Sequence, residues 1–362
     1  MSTEFYPLTV SQVERLTRDS VALDFEVPVE LKEKFKFKQG QHLTLKADIN
    51  NQDIRRSYSI CRGVNSQTLQ VAVKAIEEGV FSNYANSELK QGMSLEVMPP
   101  QGHFYTELSS QSNKNYLLIA VGSGITPILS HIESILSVEK NATITLLYGN
   151  KRTPLMMFRE KLSFIKNENM DRFQWINFFT NEENDSEIFN GRICAQKLID
   201  LDKFKLVELK TYDEFFICGP EEMTLEIASC LEFWGFDKSQ IHYELFFSGG
   251  LEHQVEKIQA QRSEKYGQKL AKVSVKVSGR KMQMELEMGG NNILDAAMEH
   301  GADLPFSCKG GVCATCKAKV VKGNVEMDVS HALTEQEIKE GMILTCQAHP
   351  VSEEVEIDFD FS

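Results

Sequence analysis

Three cysteines fall within nine residues, Cys308, Cys313 and Cys316, and a fourth, Cys346, follows at a distance. The spacing C-x4-C-x2-C…C is that of a plant-type [2Fe–2S] site. Each iron of such a cluster is tetrahedral, and the sulfide-bridged pair leaves four positions for four thiolates. The intervening loop, CKGGVCATC, carries Gly310 and Gly311 and offers main-chain N–H groups that can bond the sulfurs and tune the potential. A structural zinc site is the rival, but zinc ribbons use two close C-x2-C pairs and the x4 spacing fits them badly. A Rieske centre needs histidine at two ligand positions, and only His349 lies near Cys346.

The remaining composition narrows the classes. The chain has 362 residues, 39 basic and 52 acidic, for a net charge of −13. That length predicts two or three domains. A pI near 5.2 argues against a nucleic-acid partner, which needs clustered Lys and Arg. Apolar runs such as Tyr116 to Val121 fall far short of the ~20 residues of a membrane span. The start, MSTEFYPLTV, has no basic region followed by an apolar stretch, so no export is expected. Eight cysteines are too few for a disulfide scaffold, and free thiolates predict a reducing, cytoplasmic location.

Along the chain the rhythm changes twice. Residues 1–108 read as short strands (GQHLTLKADI, RRSYSIC, TLQVAVKAI, MSLEVMPP) punctuated by Gly and Pro, which predicts a small antiparallel barrel or sandwich. Residues 113–247 alternate buried strands with helical stretches, which predicts an α/β domain on a parallel sheet. Residues 248–270 are polar and read as a linker. Residues 271–362 bring two strands, a short helix, the cysteine loop and terminal strands. They hold 9 basic and 15 acidic side chains, net −6, against 30 and 37, net −7, in the rest.

Four further stretches carry chemistry, the first two weak by themselves. RSYSIC (Arg56 to Cys61) puts Arg and Ser beside an aromatic on a strand, suited to a phosphate and a flat ring. VKAIEEGVFSNY (Val73 to Tyr84) lets Gly79 and Ser82 open a helix toward an anion. AVGSGITP (Ala120 to Pro127) follows a strand and opens a helix, with Thr126 expected as N-cap and Pro127 at the first helical position. It suits a dinucleotide phosphate and lacks the GK[ST] of a Walker ATP site. FICGP (Phe216 to Pro220) stops a strand abruptly with Cys218 at its C-terminal end, the edge where parallel sheets bind ligands. After the strand ATITLLYGN come Asn150, Lys151 and Arg152 with no carboxylate, and Arg152 could clamp a 2′-phosphate. Met156–Met157 and Phe178–Phe179 are expected in the core, and Cys61, Cys194 and Cys230 as small buried hydrophobes.

In this order the motifs RxYS, GxxS, GSGITP and CGP resemble those of the ferredoxin–NADP reductase superfamily. The C-terminal cysteine spacing is similar to that of oxygenase reductases with the order flavin, nucleotide, iron–sulfur. The wording of RSYSIC, VAVKAIEEGVFSNYA, LEVMPPQGHF, LLYGN, MMFR and CKGGVCATCKAKVVKG resembles the reductase family of phenylacetyl-CoA epoxidase complexes. The resemblance implies a multidomain protein: an antiparallel β-barrel FAD domain, an α/β parallel-sheet NADPH domain and an α+β β-grasp ferredoxin domain. It implies Arg56 on the FAD pyrophosphate, Tyr58 against the isoalloxazine, Ser59 near the flavin N5, and Ser57, Val73, Lys74, Gly79 and Ser82 around the cofactor. Gly122, Gly124, Thr126 and Pro127 would shape the nucleotide site, with Cys218, Gly219 and Pro220 beside the nicotinamide. Glu244 and Phe246 would approach the ring pair, Ser59, Cys218 and Glu244 forming the catalytic set. Cys308, Cys313, Cys316 and Cys346 would hold the cluster. The implied activity is transfer of electrons from NADPH through FAD and [2Fe–2S], one at a time, to the subunits of a di-iron oxygenase. The same chemistry could serve another ring hydroxylase or a hybrid-cluster protein, FMN could replace FAD, and a zinc-held, non-redox binding module is the distant alternative.

Overall fold

The computed structural model of the chain describes residues 4–246, 258 and 261–361. They fall into two compact units, one holding a barrel and a parallel sheet, the other the cysteine loop. The barrel strands are β1 (Tyr6–Thr17), β2 (Ser20–Glu26), β3 (His42–Ile49), β4 (Gln52–Ser59), β5 (Leu69–Lys74) and β6 (Ser94–Gln101). Their order is β4-β3-β6-β1-β2-β5. The two ends meet where Ile60 bridges Val71 and Cys61 N donates to Gln70 O at 2.9 Å, which closes the barrel. Alternation sends Leu8, Val10, Leu23, Leu43, Leu45 and Val97 inward, all fully buried. Helix α1 (Val80–Ser87) adds Phe81 to that core.

The second sheet holds β7 (Asn115–Val121), β8 (Thr143–Asn150), β9 (Phe173–Phe179), β10 (Glu214–Gly219) and β11 (Ile241–Leu245). All are parallel, in the order β11-β10-β7-β8-β9. Near-continuous apolar runs such as Leu117 to Ala120 suit strands buried on both faces. Helices α2 (Ile125–Val138), α3 (Arg159–Glu168), α4 (Ala195–Lys203) and α5 (Glu221–Phe233) cover them. The chain leaves β7 toward β8 on one side and returns to β10 on the other, so a crevice opens above the C-terminal ends of β7 and β10. Met156, Met157, Phe178 and Phe179 are buried as expected, and so is Cys61. Cys194 and Cys230 are only half-buried, contrary to expectation. Cys194 is the N-cap of α4, where the chain surfaces, and Cys230 flanks the core stripe Ile227, Ala228 and Leu231 of α5.

Helix α2 joins barrel and sheet. Its Glu133 accepts from Gly63 N at 2.6 Å, Ser134 Oγ from Val64 N at 3.0 Å, and Ser130 Oγ donates to Arg62 O at 2.7 Å. His131, fully buried, donates from Nε2 to Phe104 O at 2.9 Å and packs 4.2 Å from the Phe216 ring. Gly40, at φ +78°, makes this possible: a Cβ there would lie 1.9 Å from Phe104 O and 2.6 Å from His131 Nε2.

The second unit is a β-grasp. Strands β12 (Leu270–Val277), β13 (Arg280–Glu287), β14 (Lys317–Lys322), β16 (Met342–Leu344) and β18 (Glu354–Asp358) form a mixed sheet in the order β13-β12-β18-β14-β16. Strands β15 (Val325–Met327) and β17 (Ala348–Pro350) make a separate antiparallel pair. Helix α6 (Ile293–Glu299) buries Ile293, Leu294 and Ala297 against the sheet, and α7 (Glu335–Lys339) precedes β16. Of the expected linker, residues 248–257 and 259–260 lie outside the described residues, 261–266 are helical, and Leu270 opens β12.

Burial pushes the His131 imidazole from its ordinary 6.5 down to about 3, partly opposed by the bond to Phe104 O. The folded unit therefore keeps the ring neutral, while the unfolded chain binds its proton first as pH falls. Stability from this residue is complete above about pH 6.5 and is lost toward pH 3, by about 2 kcal/mol at pH 5. Denaturation midpoints measured from pH 7.5 to 5 should show this acid limb, and His131→Gln should flatten it while lowering stability at pH 7.5.

Candidate functional site

Above β7 and β10 the crevice is built from main chain. Gly122–Gly124 winds as a 3-10 turn directly into α2. The helix thus starts at Ile125, earlier than expected, and Gly124 takes the N-cap place that the sequence assigned to Thr126. Thr126 and Pro127 lie inside the first turn, and Thr126 Oγ1 donates back to Ser123 O at 3.0 Å. No side chain caps the turn, and Ile125 N donates within it to Gly122 O and Ser123 O, so a helix start of this kind could face an anion through its remaining N–H groups. Gly124 is required by contact: a Cβ would sit 2.1 Å from Cys218 O and 3.0 Å from Gly219 N. The GSG and CGP motifs, far apart in sequence, therefore touch backbone to backbone. Pro220 follows as the N-cap of α5.

Three strands bring the expected catalytic set together. Cys218 on β10 is paired in register with Glu244 on β11. Ser59, at the end of β4, donates from Oγ to Glu244 Oε2 at 3.2 Å. Burial raises the Cys218 thiol well above its usual range, and the Glu244 charge adds to this. The thiol is thus a neutral, compact group beside the crevice. His42, which sequence reasoning passed over, stands with Nδ1 4.0 Å from Glu244 Oε1 and its side chain 6% exposed. The only signal for it was its place in GQHLTL, and nothing local says that the start of β3 faces the end of β11.

The flavin motifs gather on β4, β5 and α1. Arg56 is exposed, with Nη1 donating to Arg55 O at 2.7 Å, and Ser57 is half-buried. The Tyr58 ring lies 5.5 Å from Phe81, tilted by 35°, which holds it at the barrel surface over α1. Gly79 caps α1, and a Cβ there would fall 2.4 Å from Ser82 Oγ. Ser82 Oγ donates to Gly79 O at 3.2 Å and accepts from Ile76 N at 3.3 Å, so it shapes the loop around the helix start. The Val73 side chain is sealed in the barrel core, which leaves only its main chain to face a ligand, and Lys74 Nζ lies 3.9 Å from Asp19.

At the far end of the sheet Arg152 is exposed and donates from Nε to Asn181 O at 3.2 Å. Beside it, Thr153 N donates to Glu182 at 2.8 Å. The Thr153 hydroxyl and N–H hold the Glu182 carboxyl below its usual range, and Arg152 and Arg159 add to this. The sequence shows no carboxylate after β8; one arrives from the loop after β9, because parallel neighbours bring their C-terminal loops side by side.

The four cysteines of the β-grasp unit are free thiols, and two of them act most strongly on one neighbour each: Cys308 on Cys313, and Cys316 on Cys346. Cys313 is held down to about 6 by the bond from Cys308, and Cys346 is lowered by Cys316, while Cys308 and Cys316 are raised. Gly310 N lies 3.4 Å from Cys308 Sγ, and Gln347 Nε2 3.7 Å from Cys346 Sγ. Among the described residues no three His, Cys, Asp or Glu side chains converge on a single ion position. Two thiol pairs with N–H donors around them are the donor set that two bridged irons require. Also among the described residues, no helix is long and apolar enough to cross a membrane.

Comparison with known proteins agrees with this geometry. Residues 7–105 match the oxidoreductase FAD-binding domain, 118–228 the oxidoreductase NAD-binding domain, and 275–351 the 2Fe-2S iron-sulfur cluster binding domain. Together they make the chain a flavin- and pyridine-nucleotide-binding iron–sulfur oxidoreductase. It is 43% identical over 358 residues to a component of the 1,2-phenylacetyl-CoA epoxidase of Escherichia coli (strain K12), spanning 99% of this chain and 98% of that one. It is 28% identical to the ferredoxin reductase component of 3-ketosteroid-9-alpha-monooxygenase of Rhodococcus rhodochrous, over 97% of this chain and 96% of that one. Phthalate dioxygenase reductase shares the fold, with a TM-score of 0.59 and 19% identity over 98% of each chain. The chain belongs to the ferredoxin–NADP reductase superfamily, in the family of that phenylacetyl-CoA epoxidase component.

Gly124→Ala should force the GSG turn off the end of β10. The expected cost is about 1–3 kcal/mol of stability, read by chemical denaturation. Pyridine-nucleotide affinity, read by titration, should fall by about 10-fold or more.

Proposed function

We propose that this chain is the reductase of a multicomponent di-iron oxygenase, accepting hydride from NADPH and releasing electrons singly through the cluster, with a phenylacetyl-CoA epoxidase as the acceptor. The observation that carries the reading is one chain with a Ser59–Glu244–Cys218 crevice and a set of four paired thiols. The full-length likeness to the epoxidase component supports the choice of acceptor. When bound, FAD supplies the exchange between two-electron and one-electron chemistry that nicotinamide and a binuclear cluster cannot make directly.

The chain's own residues then have distinct tasks. Tyr58, backed by Phe81, offers a flat face, and Arg56, Ser57, Val73, Lys74, Gly79 and Ser82 border the cofactor. The Ser59 hydroxyl, held by Glu244, is a fixed dipole where the flavin edge meets the nicotinamide. Gly122, Gly124, Thr126 and Pro127 hold the nucleotide's phosphates, and Cys218, Gly219 and Pro220 limit the nicotinamide's position and exclude water. Cys308, Cys313, Cys316 and Cys346 ligate the irons. This reading keeps the domain limits 1–108, 113–247 and 271–362 and a cytoplasmic location, which free cysteines favour.

The exposed Arg152, beside Lys151, supports NADPH, since a guanidinium can bond a 2′-phosphate with paired N–H groups. Glu182 already accepts from Thr153, which is compatible with that role. We expect kcat/KM for NADPH to exceed that for NADH, and Arg152→Ala to narrow the gap; equal values in the parent protein would refute the preference.

The acceptor and electron path are tested with purified epoxidase subunits. The protein should hold about two irons and two labile sulfides per chain and support NADPH-dependent epoxidation. Cys346→Ser should damage the cluster and abolish epoxidation while flavin reduction by NADPH continues. Epoxidation at the full rate by the Cys346→Ser protein would sink the mechanism.

A further inference from the structure

The helical turn 261–266 is tied to the β-grasp by an ionic cluster that the cysteine spacing does not reveal. Its key residue, Arg262, lies outside residues 275–351, which match the iron–sulfur domain. The side chains of Arg262, Asp328 and His349 are 2%, 3% and 2% exposed. Arg262 Nη2 donates to Asp328 Oδ1. Asp328 Oδ2 stands 3.1 Å from His349 Nε2, and His349 Nδ1 stands 3.1 Å from Gly290 O. Ser263 Oγ donates to Gly289 O at 3.0 Å, and Lys265 and Tyr266 both donate to Glu326, at 2.8 and 2.7 Å. Arg262 Nε and Nη1 have no hydrogen-bond partner among the described residues. A dry guanidinium held by one carboxylate is a poor source of stability, because desolvation offsets the attraction. What such a contact does supply is position.

The position it sets is that of the loop around the thiols. Asp328 N donates to Gln347 O at 2.9 Å. Gln347 Nε2 donates to Lys309 O at 2.9 Å and to Cys346 O at 3.1 Å. Val329, the next residue, closes on Gly311, where a Cβ would lie 2.6 Å from Val329 Cγ2, and Ala332 N donates to Gly311 O at 3.1 Å. Glu326 and His349 are directly opposite each other in the β15–β17 pair.

We propose that Arg262 is a positioning residue for the iron–sulfur site: by holding Asp328, and through it the β15–β17 pair, it fixes the strand after Cys346 against the loop of Cys308 and Cys313. The proposal rests on the reading of the four cysteines as cluster ligands. Without the guanidinium, Asp328 faces His349 alone in a dry site. The Asp328–Gln347 contact then loosens, and the loop at Gly310 and Gly311 opens to solvent.

The test uses full-length protein with flavin and cluster in place, as Arg262→Met, Arg262→Lys and the double variant Arg262→Met with Asp328→Asn. Two readouts are taken: the lifetime of the cluster's visible absorbance in aerobic chelator, and the electron paramagnetic resonance line shape after reduction. Arg262→Met should shorten the lifetime by about 5-fold or more, the factor that ~1 kcal/mol carries, and should alter the line shape. Arg262→Lys, which keeps a charged donor, should recover most of the lifetime. The double variant leaves no unpaired buried charge, so it should fold and yet lose the cluster as quickly as Arg262→Met. It carries the test if the single variant does not fold. Flavin reduction by NADPH should stay at the parent rate in all three. A parent-like lifetime and line shape in either Met variant overturns the role of Arg262. A parent protein without two irons and labile sulfide overturns instead the reading of the cysteines.

Discussion

The seating of helix α2 is the contact on which the flavin–nucleotide unit depends. Its N-terminal turn is the GSG cradle, and its middle carries Ser130, His131, Glu133 and Ser134 to the barrel. The barrel segment that Ser130, Glu133 and Ser134 grip, Arg62 to Val64, directly continues the RSYSIC stretch, while His131 holds Phe104. One rod thus sets the distance between the end of the RSYSIC strand and the GSG turn. The bond from Gly63 N to the Glu133 carboxylate has a charged acceptor, a class worth about 1.5–3 kcal/mol. Glu133 is also paired with Lys161 at 2.5 Å, so the same carboxylate ties α3 to the seam. A hinge between these two domains would break three part-buried hydrogen bonds and the buried one from His131 at once, and holding two reactants in register needs that rigidity.

The crevice follows from the order of the strands. Because β7 and β10 are neighbours, their terminal loops converge, and glycine at 124 lets the two backbones touch. Because β11 lies beyond β10, Glu244 is carried next to Cys218. Ser59 arrives from the barrel. Each residue is at or next to the end of a strand, where sheet hydrogen bonds hold the backbone, and Cys218 and Ser59 are buried there. Polar groups placed this way are preorganised, so a ligand at the crevice would require little reorganisation.

Much of this was legible in the sequence because the signals were local. Alternating short strands with Gly and Pro marked the barrel, apolar runs between helical stretches marked the parallel sheet, and the cysteine spacing marked the loop. Long-range geometry was not legible. The N-cap was misplaced to Thr126 because a glycine turn can wind as 3-10 and start the helix early, which no propensity at Thr126 reveals. Glu182 was missed because its partner, Thr153, lies on the neighbouring strand's loop. His42 was missed because a histidine at a strand start has no pattern of its own. Arg262 was hidden in a polar stretch that reads as linker, since one buried arginine among solvated charges leaves no periodicity.

The cysteine loop shows how the same limit works in reverse. Spacing alone singles out four cysteines but does not say how the fold brings them together. In the fold, Cys308 and Cys313 come from one loop, while Cys316 opens toward β14 and meets Cys346, which β16 delivers. Thr345 N and Oγ1 both donate to Cys316 O, at 3.2 and 3.0 Å, so the second pair is locked by the main chain and side chain of the residue before Cys346. The first pair depends on the loop's own turns, with Lys309 and Ala314 at φ +53° and +54°. A residue with a Cβ at positive φ holds that conformation only when surrounding contacts enforce it. Here Gln347, bonded to Lys309 O, supplies one such contact, and it lies in the turn between β16 and β17 that carries Cys346. The two parts of the cysteine site are therefore not independent: the turn that holds Cys346 also places the glutamine that steadies the loop of Cys308 and Cys313.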